Sequence, residues 1–350
     1  MRRSESNPSL SRYAAFTALA TLGLICLGGL VTSHEAGLAV PDWPTTYGYN
    51  MFFFPISRWT GGVFYEHTHR LWASAVGLLT VALAVWLWLA ESRRWLRWTG
   101  ILAVLLVMVQ GVLGGLRVVA LKDEIGIFHG TLAQMFLVLL AGIALWTSRW
   151  WREAASDGCS DCVRLRNIFF VISGLVLVQL ALGATMRHQH AGLAISDFPL
   201  AHGRLWPATD AASIAQYNQA RVEVVALKDI TAAQVWLQMA HRLMAVAIVC
   251  AIAWATRRTV KALSLRHPLS KLVLVWLTLV IIQFALGAFT IWTNKSADIA
   301  TLHVACGATT LVTGCLLGLM AGRLRQSKRA TAFQTSSHQS IQSSAAHQVA

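Results

Sequence analysis

Within five residues, Glu66-His67-Thr68-His69-Arg70 sets a carboxylate, two imidazoles and a guanidinium where a polar loop gives way to an apolar run. A second His-Arg pair, His241-Arg242, sits at the matching place later in the chain, and His129 and His303 open two further apolar runs. Neutral imidazole is the commonest side-chain metal ligand. Two imidazoles facing each other from packed helices can supply both axial ligands of one heme, whose flat apolar ring then lies between the helices. Zinc or copper would ask for further carboxylate or cysteine ligands, and the sequence brings no such cluster to both halves.

Glu66 precedes His69 by three residues, so the two share a helical face. A carboxylate at the edge of a membrane is costly and usually has a task. The corresponding later position is Gln238, which cannot exchange protons. The pair His69 and His129 therefore reads as the reactive site, with Glu66 as its catalytic carboxylate. The pair His241 and His303 reads as a permanently occupied electron-transfer site. A plainer role for Glu66 is to pair with Arg70 or to cap its helix. Arg70 and Arg242 point about a quarter-turn from their histidines, either toward heme propionates, which a guanidinium fits, or toward the interface. Gly111, Gly114, Gly115 and Gly287 would let a helix approach the ring closely. His67 faces away from His69 and reads as a surface residue, while His34, His188, His190 and His202 belong in or beside loops without a ligand role.

The elements that must hold these groups follow from composition. The chain has 350 residues, 56% hydrophobic and 13% charged, too few charges for a soluble domain. Apolar runs long enough to cross a bilayer recur at about 13–31, 66–90, 98–118, 127–148, 167–186, 233–256, 272–292 and 299–322. The expected fold is an all-α integral membrane protein of eight transmembrane helices. The 326–350 tail, rich in Ser, Gln and Ala, is expected to be disordered, and its His338 and His347 take no role. Of six cysteines, four lie in apolar runs, and Cys159 and Cys162 read as incidental thiols.

The net charge of +14 does not signify nucleic acid, because the basic residues cluster in alternate loops. Nineteen Lys and Arg fall on the side of both termini and eight on the other, which places the termini in the cytoplasm, or in the matrix of a mitochondrion, and the histidine ends outside. Ala36-Gly-Leu-Ala-Val-Pro-Asp-Trp-Pro44 matches Ala191-Gly-Leu-Ala-Ile-Ser-Asp-Phe-Pro199 at six of nine positions. His69-Arg70-Leu71 with His241-Arg242-Leu243, Gln110 and Gly114 with Gln283 and Gly287, and His129 with His303 continue the repeat. An even number of spans per unit makes this a parallel repeat of two pseudo-symmetric four-helix bundles, 1–155 and 156–325. Asp42 and Asp197, matched in it, read as turn residues that help shape a lid.

The Glu66-x-x-His69-Arg70 motif, the A-G-L-A-V-P-D-W-P loop, His129 with His303 and the eight-span duplication resemble the heme A synthases of cytochrome oxidase assembly, over about residues 12–322. The resemblance implies oxidation of a ring methyl of heme O to a formyl group by successive hydroxylations, with loss of water from a gem-diol. It implies that His69 and His129 hold the substrate heme, that His241 and His303 hold a heme b cofactor, and that Glu66 is essential for turnover. With no cysteine between Thr32 and Tyr65, the chain is similar to the cysteine-free branch of proteobacteria and mitochondria. The implied setting is a bacterial inner membrane. Lipid, an electron donor, the farnesyltransferase that makes heme O and a second copy of the chain are the partners to expect.

Two other classes compete. A di-heme b-type carrier exchanging electrons with quinones would use the same histidines but leave the Glu66/Gln238 difference idle, and would release only heme b. A transporter or assembly scaffold would be colourless.

Overall fold

In lipid every backbone N–H must find its acceptor within the protein, so an uncharged apolar run has little choice but to close into a helix. The computed structural model describes residues 7–154, 161–220 and 229–346, with side chains as far as Leu324. In chain order its helices are α1 (Pro8–Ser33), α2 (Gly61–Ala90), α3 (Arg94–Ala120), α4 (Asp123–Thr147), α5 (Arg149–Glu153), α6 (Cys162–His188), α7 (Ala211–Gln219), α8 (Ala232–Ala262), α9 (Pro268–Trp292) and α10 (Ala297–Ala346). All but α5 and α7 are long and apolar enough to span a bilayer, eight in number among the described residues. Large apolar side chains also face outward on these helices, Leu78, Val171 and Ile281 among them, as lipid rather than water as solvent requires. The protein is an all-α, multi-pass membrane protein.

Most of the spans start several residues before their apolar runs, because first-turn N–H groups are satisfied by polar caps. Asn7 accepts the Leu10 N–H at 3.1 Å to start α1, and Thr231 with Gln234 closes a capping box on α8. The sequence did not disclose α5 or α7, both short and set in polar connections. α10 runs on to Ala346, into the stretch 326–350. Residues 347–350 lie outside the described residues. One expectation is corrected. Cys162, expected as an incidental thiol, is disulfide-bonded, a matter of sulfur proximity that spacing alone does not decide; Cys159 lies outside the described residues.

Two apolar cores form. One joins Leu10, Val76, Leu83, Leu96, Phe136 and Leu140 of α1 to α4. The other joins Phe169, Ile252, Val273, Trp276 and Leu317 of α6 and α8 to α10, where the buried Trp276 indole donates to the Thr310 carbonyl at 2.8 Å. The bundles meet through α1 against α10 and α4 against α6 and α10.

The connection before α2 and the one after α6 fold alike, 155 residues apart. Each carries a cis X-Pro bond (Trp43-Pro44 and Phe198-Pro199) and a left-handed residue followed by a left-handed glycine (Tyr47-Gly48 and His202-Gly203). In each an aspartate gathers the turn. Asp42 accepts the N–H groups of Tyr47 (2.7 Å) and Gly48 (2.8 Å), and Asp197 those of His202 (2.7 Å) and Gly203 (2.8 Å). This is the turn role expected of both, and each loop lies over its bundle as a lid.

Candidate functional site

Each of the four histidines sits within the first three turns of its helix, and α2, α4, α8 and α10 all run away from the lid end. At 1.5 Å per residue the rings lie about 9 to 14 Å along their helices. His69 and His129 are within electrostatic reach of each other, as are His241 and His303. The two pairs are brought together as the repeat requires.

Every one of these rings rests on a glycine of the preceding span. A Cβ at Gly28 would stand 3.2 Å from His69 Nε2, and one at Gly114 3.5 Å from His129 Cε1. In the second bundle Gly183 faces His241 Cε1 at 3.3 Å and Gly287 faces His303 Cε1 at 3.2 Å. Gly28 and Gly183, on α1 and α6, went unnoticed in the sequence although they obey its 155-residue offset. Gly111 faces open space and Gly115 receives the Trp43 ring of the lid, so of the glycines expected beside the ring only Gly114 and Gly287 stand against a histidine.

Glutamines fasten the same turns. Gln110 donates to the His129 carbonyl at 3.2 Å and Gln179 to the His241 carbonyl at 2.9 Å, while Gln283 Nε2 lies 3.4 Å from His303 Nε2. The Nδ1 atoms of His129, His241 and His303 are buried and find no hydrogen-bond partner among the described residues, a cost that an external ligand or ion would remove. Among the described residues no three His, Cys, Asp or Glu side chains converge on one point. Paired imidazoles on glycine-lined helix faces fit a porphyrin iron that needs two axial ligands and brings its other four.

Glu66 and Gln238 occupy equivalent places beneath the lids. Glu66 is 4% exposed; its Oε2 accepts the Val40 N–H at 2.8 Å and its Oε1 the Arg70 guanidinium at 2.6 Å. Gln238 Oε1 accepts the Ile195 N–H at 2.7 Å, and its Nε2 donates to the carbonyls of Gly192 and Ile195. The ion pair foreseen for Glu66 is present, and the residue is also a lid fastener.

Arg70 and Arg242, considered for propionates, are occupied by the lids. Arg70 donates to the carbonyls of Val40, Asp42 and Thr45 at 2.8–3.0 Å, and Arg242 to those of Asp197 and Leu200 at 2.7 and 2.9 Å. A guanidinium carries enough donors to satisfy several buried carbonyls, which the irregular lid backbone needs. His67 is not on the surface: it is fully buried, 3.2 Å from Thr46 Oγ1 and packed on Phe54 and Trp59. The lid folds down over that helix face, which helical phase alone could not reveal. His188 lies beside a loop as expected: it ends α6, packs on Gly126 of α4 and is within electrostatic reach of His129. His34 stacks on Tyr65 and His202 on Tyr217 of α7.

A family model described as COX15-CtaA, cytochrome oxidase assembly protein, matches residues 49–315. The heme A synthase of Geobacillus kaustophilus is 26% identical across 89% of this chain and 90% of its own length. That of Halalkalibacterium halodurans is 24% identical across 90% and 98%, and that of Shouchella clausii 28% across 69% and 80%.

Proposed function

The chain belongs to the COX15-CtaA family of cytochrome oxidase assembly proteins, and from that premise we propose that it is a heme A synthase, an oxidoreductase that converts a ring methyl of heme O to a formyl group by successive hydroxylations. The observation that carries this reading is the duplicated pair of imidazoles, each seated on a glycine of the preceding span. His69 and His129 would hold the substrate heme O. His241 and His303 would hold a heme b, which when bound supplies electron transfer.

The difference between the bundles supports this division. Glu66 and Gln238 fasten their lids in the same way, so fastening alone does not explain why one half carries a carboxylate. Glu66 would hold or move a proton at its Oε1, beside the first pair, once Arg70 yields its place. The lid, with Trp43 lodged on Gly115 of α3, would keep bulk water from the pocket. Because His69 and His129 would both be engaged in holding the substrate, reaching the methyl would call for one of these rings to swing aside or for access from the edge beneath the lid.

The excess of Lys and Arg at the ends away from the lids supports an orientation with both termini cytoplasmic, and the bacterial relatives favour the bacterial inner membrane. The deciding experiment extracts the pigment of the purified protein with acid acetone. Heme A and heme O beside heme b are expected from the native chain, and heme O without heme A from Glu66→Gln. Heme b alone from the native chain would make it an electron carrier instead.

A further inference from the structure

Two guanidinium groups, with an imidazole beside them, converge where the two bundles meet at the lid end. Arg117, in the last turn of α3, lies against the first lid: a Cβ on Gly37 would stand 3.1 Å from its Nη2. Arg117 is within electrostatic reach of Arg187 and His188 at the end of α6. Arg187 crosses the junction to donate to the Gly29 carbonyl and the Ser33 hydroxyl of α1, each at 2.5 Å.

The acidic groups nearby do not neutralise this cluster. Asp123 is within reach of Arg117 and His188, and Glu66 within reach of Arg117. Glu66 already serves Arg70 and Val40. Among the described residues no ion pair joins either carboxylate to Arg117, and no hydrogen bond within the chain engages its guanidinium. Half-buried cations gathered without a partnered anion are unfavourable unless something else supplies the negative charge. Arg117 lies three residues beyond Gly114, on the face of α3 that meets the His129 ring, and is within electrostatic reach of both His69 and His129, so the negative charge must come from the side of that pair.

The repeat gives the second bundle a different arrangement: a Cβ on Gly192, the counterpart of Gly37, would stand 3.3 Å from Lys295 Cδ, an ammonium side chain in place of a guanidinium. Counting from Gln110 with Gln283 and Gly114 with Gly287, the position of Arg117 is occupied by Thr290 in the second bundle. Arg70 and Arg242 cannot take the role equally in both halves, because their guanidinium groups are bound to the lids.

We propose that Arg117, with Arg187 beside it, binds a carboxylate of the substrate porphyrin and so fixes which edge of the ring turns toward the lid. A planar guanidinium pairs with a carboxylate through two parallel hydrogen bonds, which would orient the ring as well as hold it. This inference rests on the reading of His69 and His129 as the substrate-heme ligands.

The test uses the full chain in detergent, titrated with heme O and with its propionate dimethyl ester, and follows the Soret band that His69→Ala abolishes. The native protein should prefer the free acid by about tenfold or more, the worth of one charge-assisted hydrogen bond. Arg117→Gln should bind acid and ester alike, and Arg117→Lys should recover part of the preference. Retention of heme b by each variant shows that it has folded. Equal binding of acid and ester by the native protein, or an undiminished preference in Arg117→Gln, overturns the carboxylate site while leaving the histidine ligation standing. Uptake of neither porphyrin by the native protein overturns the ligation itself and this proposal with it.

Discussion

Glu66 accepts the Val40 N–H at 2.8 Å through one oxygen and the Arg70 guanidinium at 2.6 Å through the other. Its side chain thus ties the lid to α2 within one turn of a proposed substrate ligand. Gln238 shows that an amide can accept the equivalent N–H. Glu66→Gln is therefore expected to keep the lid and porphyrin binding while lowering turnover by about a hundredfold or more, the range for loss of a proton-transferring group. Normal heme A content in that variant would sink the catalytic assignment.

Glu66→Ala should behave differently. It leaves the Val40 N–H and the Arg70 guanidinium without their shared acceptor, at about 1–3 kcal/mol for each group stranded in a buried place. Thermal unfolding in detergent should fall clearly below that of Glu66→Gln; equal midpoints for the two would show that the lid is held by other contacts.

The glycines beneath the histidines offer a selective handle. Gly28 stands against His69 and Gly183 against His241, so a leucine at either must push a ring aside. Gly28→Leu should weaken heme O binding and spare the resident heme, and Gly183→Leu should do the reverse. Soret titration and pyridine hemochrome content distinguish the two, and a uniform loss from both variants would argue against independent sites.

The ligand pairs themselves can be separated. The double variant His241→Ala, His303→Ala should lose the low-spin spectrum of the purified protein, while His69→Ala, His129→Ala should keep it and fail to take up heme O. An unchanged low-spin spectrum in the first double variant would end the bis-histidine account.

The first lid should respond to acid. Burial raises the Asp42 carboxyl, but the Gly48 N–H, the Thr45 hydroxyl and the Tyr47 N–H outweigh it and hold the group below the usual carboxylate range. A carboxylate whose folded value is depressed contributes stability above its unfolded value, about 3.9, and that contribution disappears as pH falls through the folded value. Amide exchange at Tyr47 and Gly48 should therefore be slow at neutral pH and, beyond its intrinsic pH dependence, gain in relative rate below about pH 4. Asp42→Asn should remove that gain, and a protection factor in the native protein that does not change with pH would contradict the turn's dependence on the carboxylate.

Much of the site was legible in order of residues because lipid narrows the alternatives. Apolar runs could only be spanning helices, and the repeated loop, His-Arg pairs and glutamines aligned the bundles position by position. Gly28 and Gly183 were equally available through the same offset but are silent by themselves, since a glycine in an apolar run has many uses. The roles of Arg70, Arg242, His67 and His188 were not legible. Helical phase tells which way a side chain leaves its helix, not what a loop folded across that face offers it.

The sequence by itself determined the eight spans and the repeated loop, and singled out the four imidazoles that the structure brings together in pairs, because each depends on local composition and spacing. Only the tertiary structure decided which cations stay free for a ligand. Arg70 and Arg242 are claimed by carbonyls of irregular lid backbone that has no helix to satisfy it. Arg117, on a different helix and against Gly37, is left facing the first pair of histidines, an arrangement set by how α3, α6 and the lid pack.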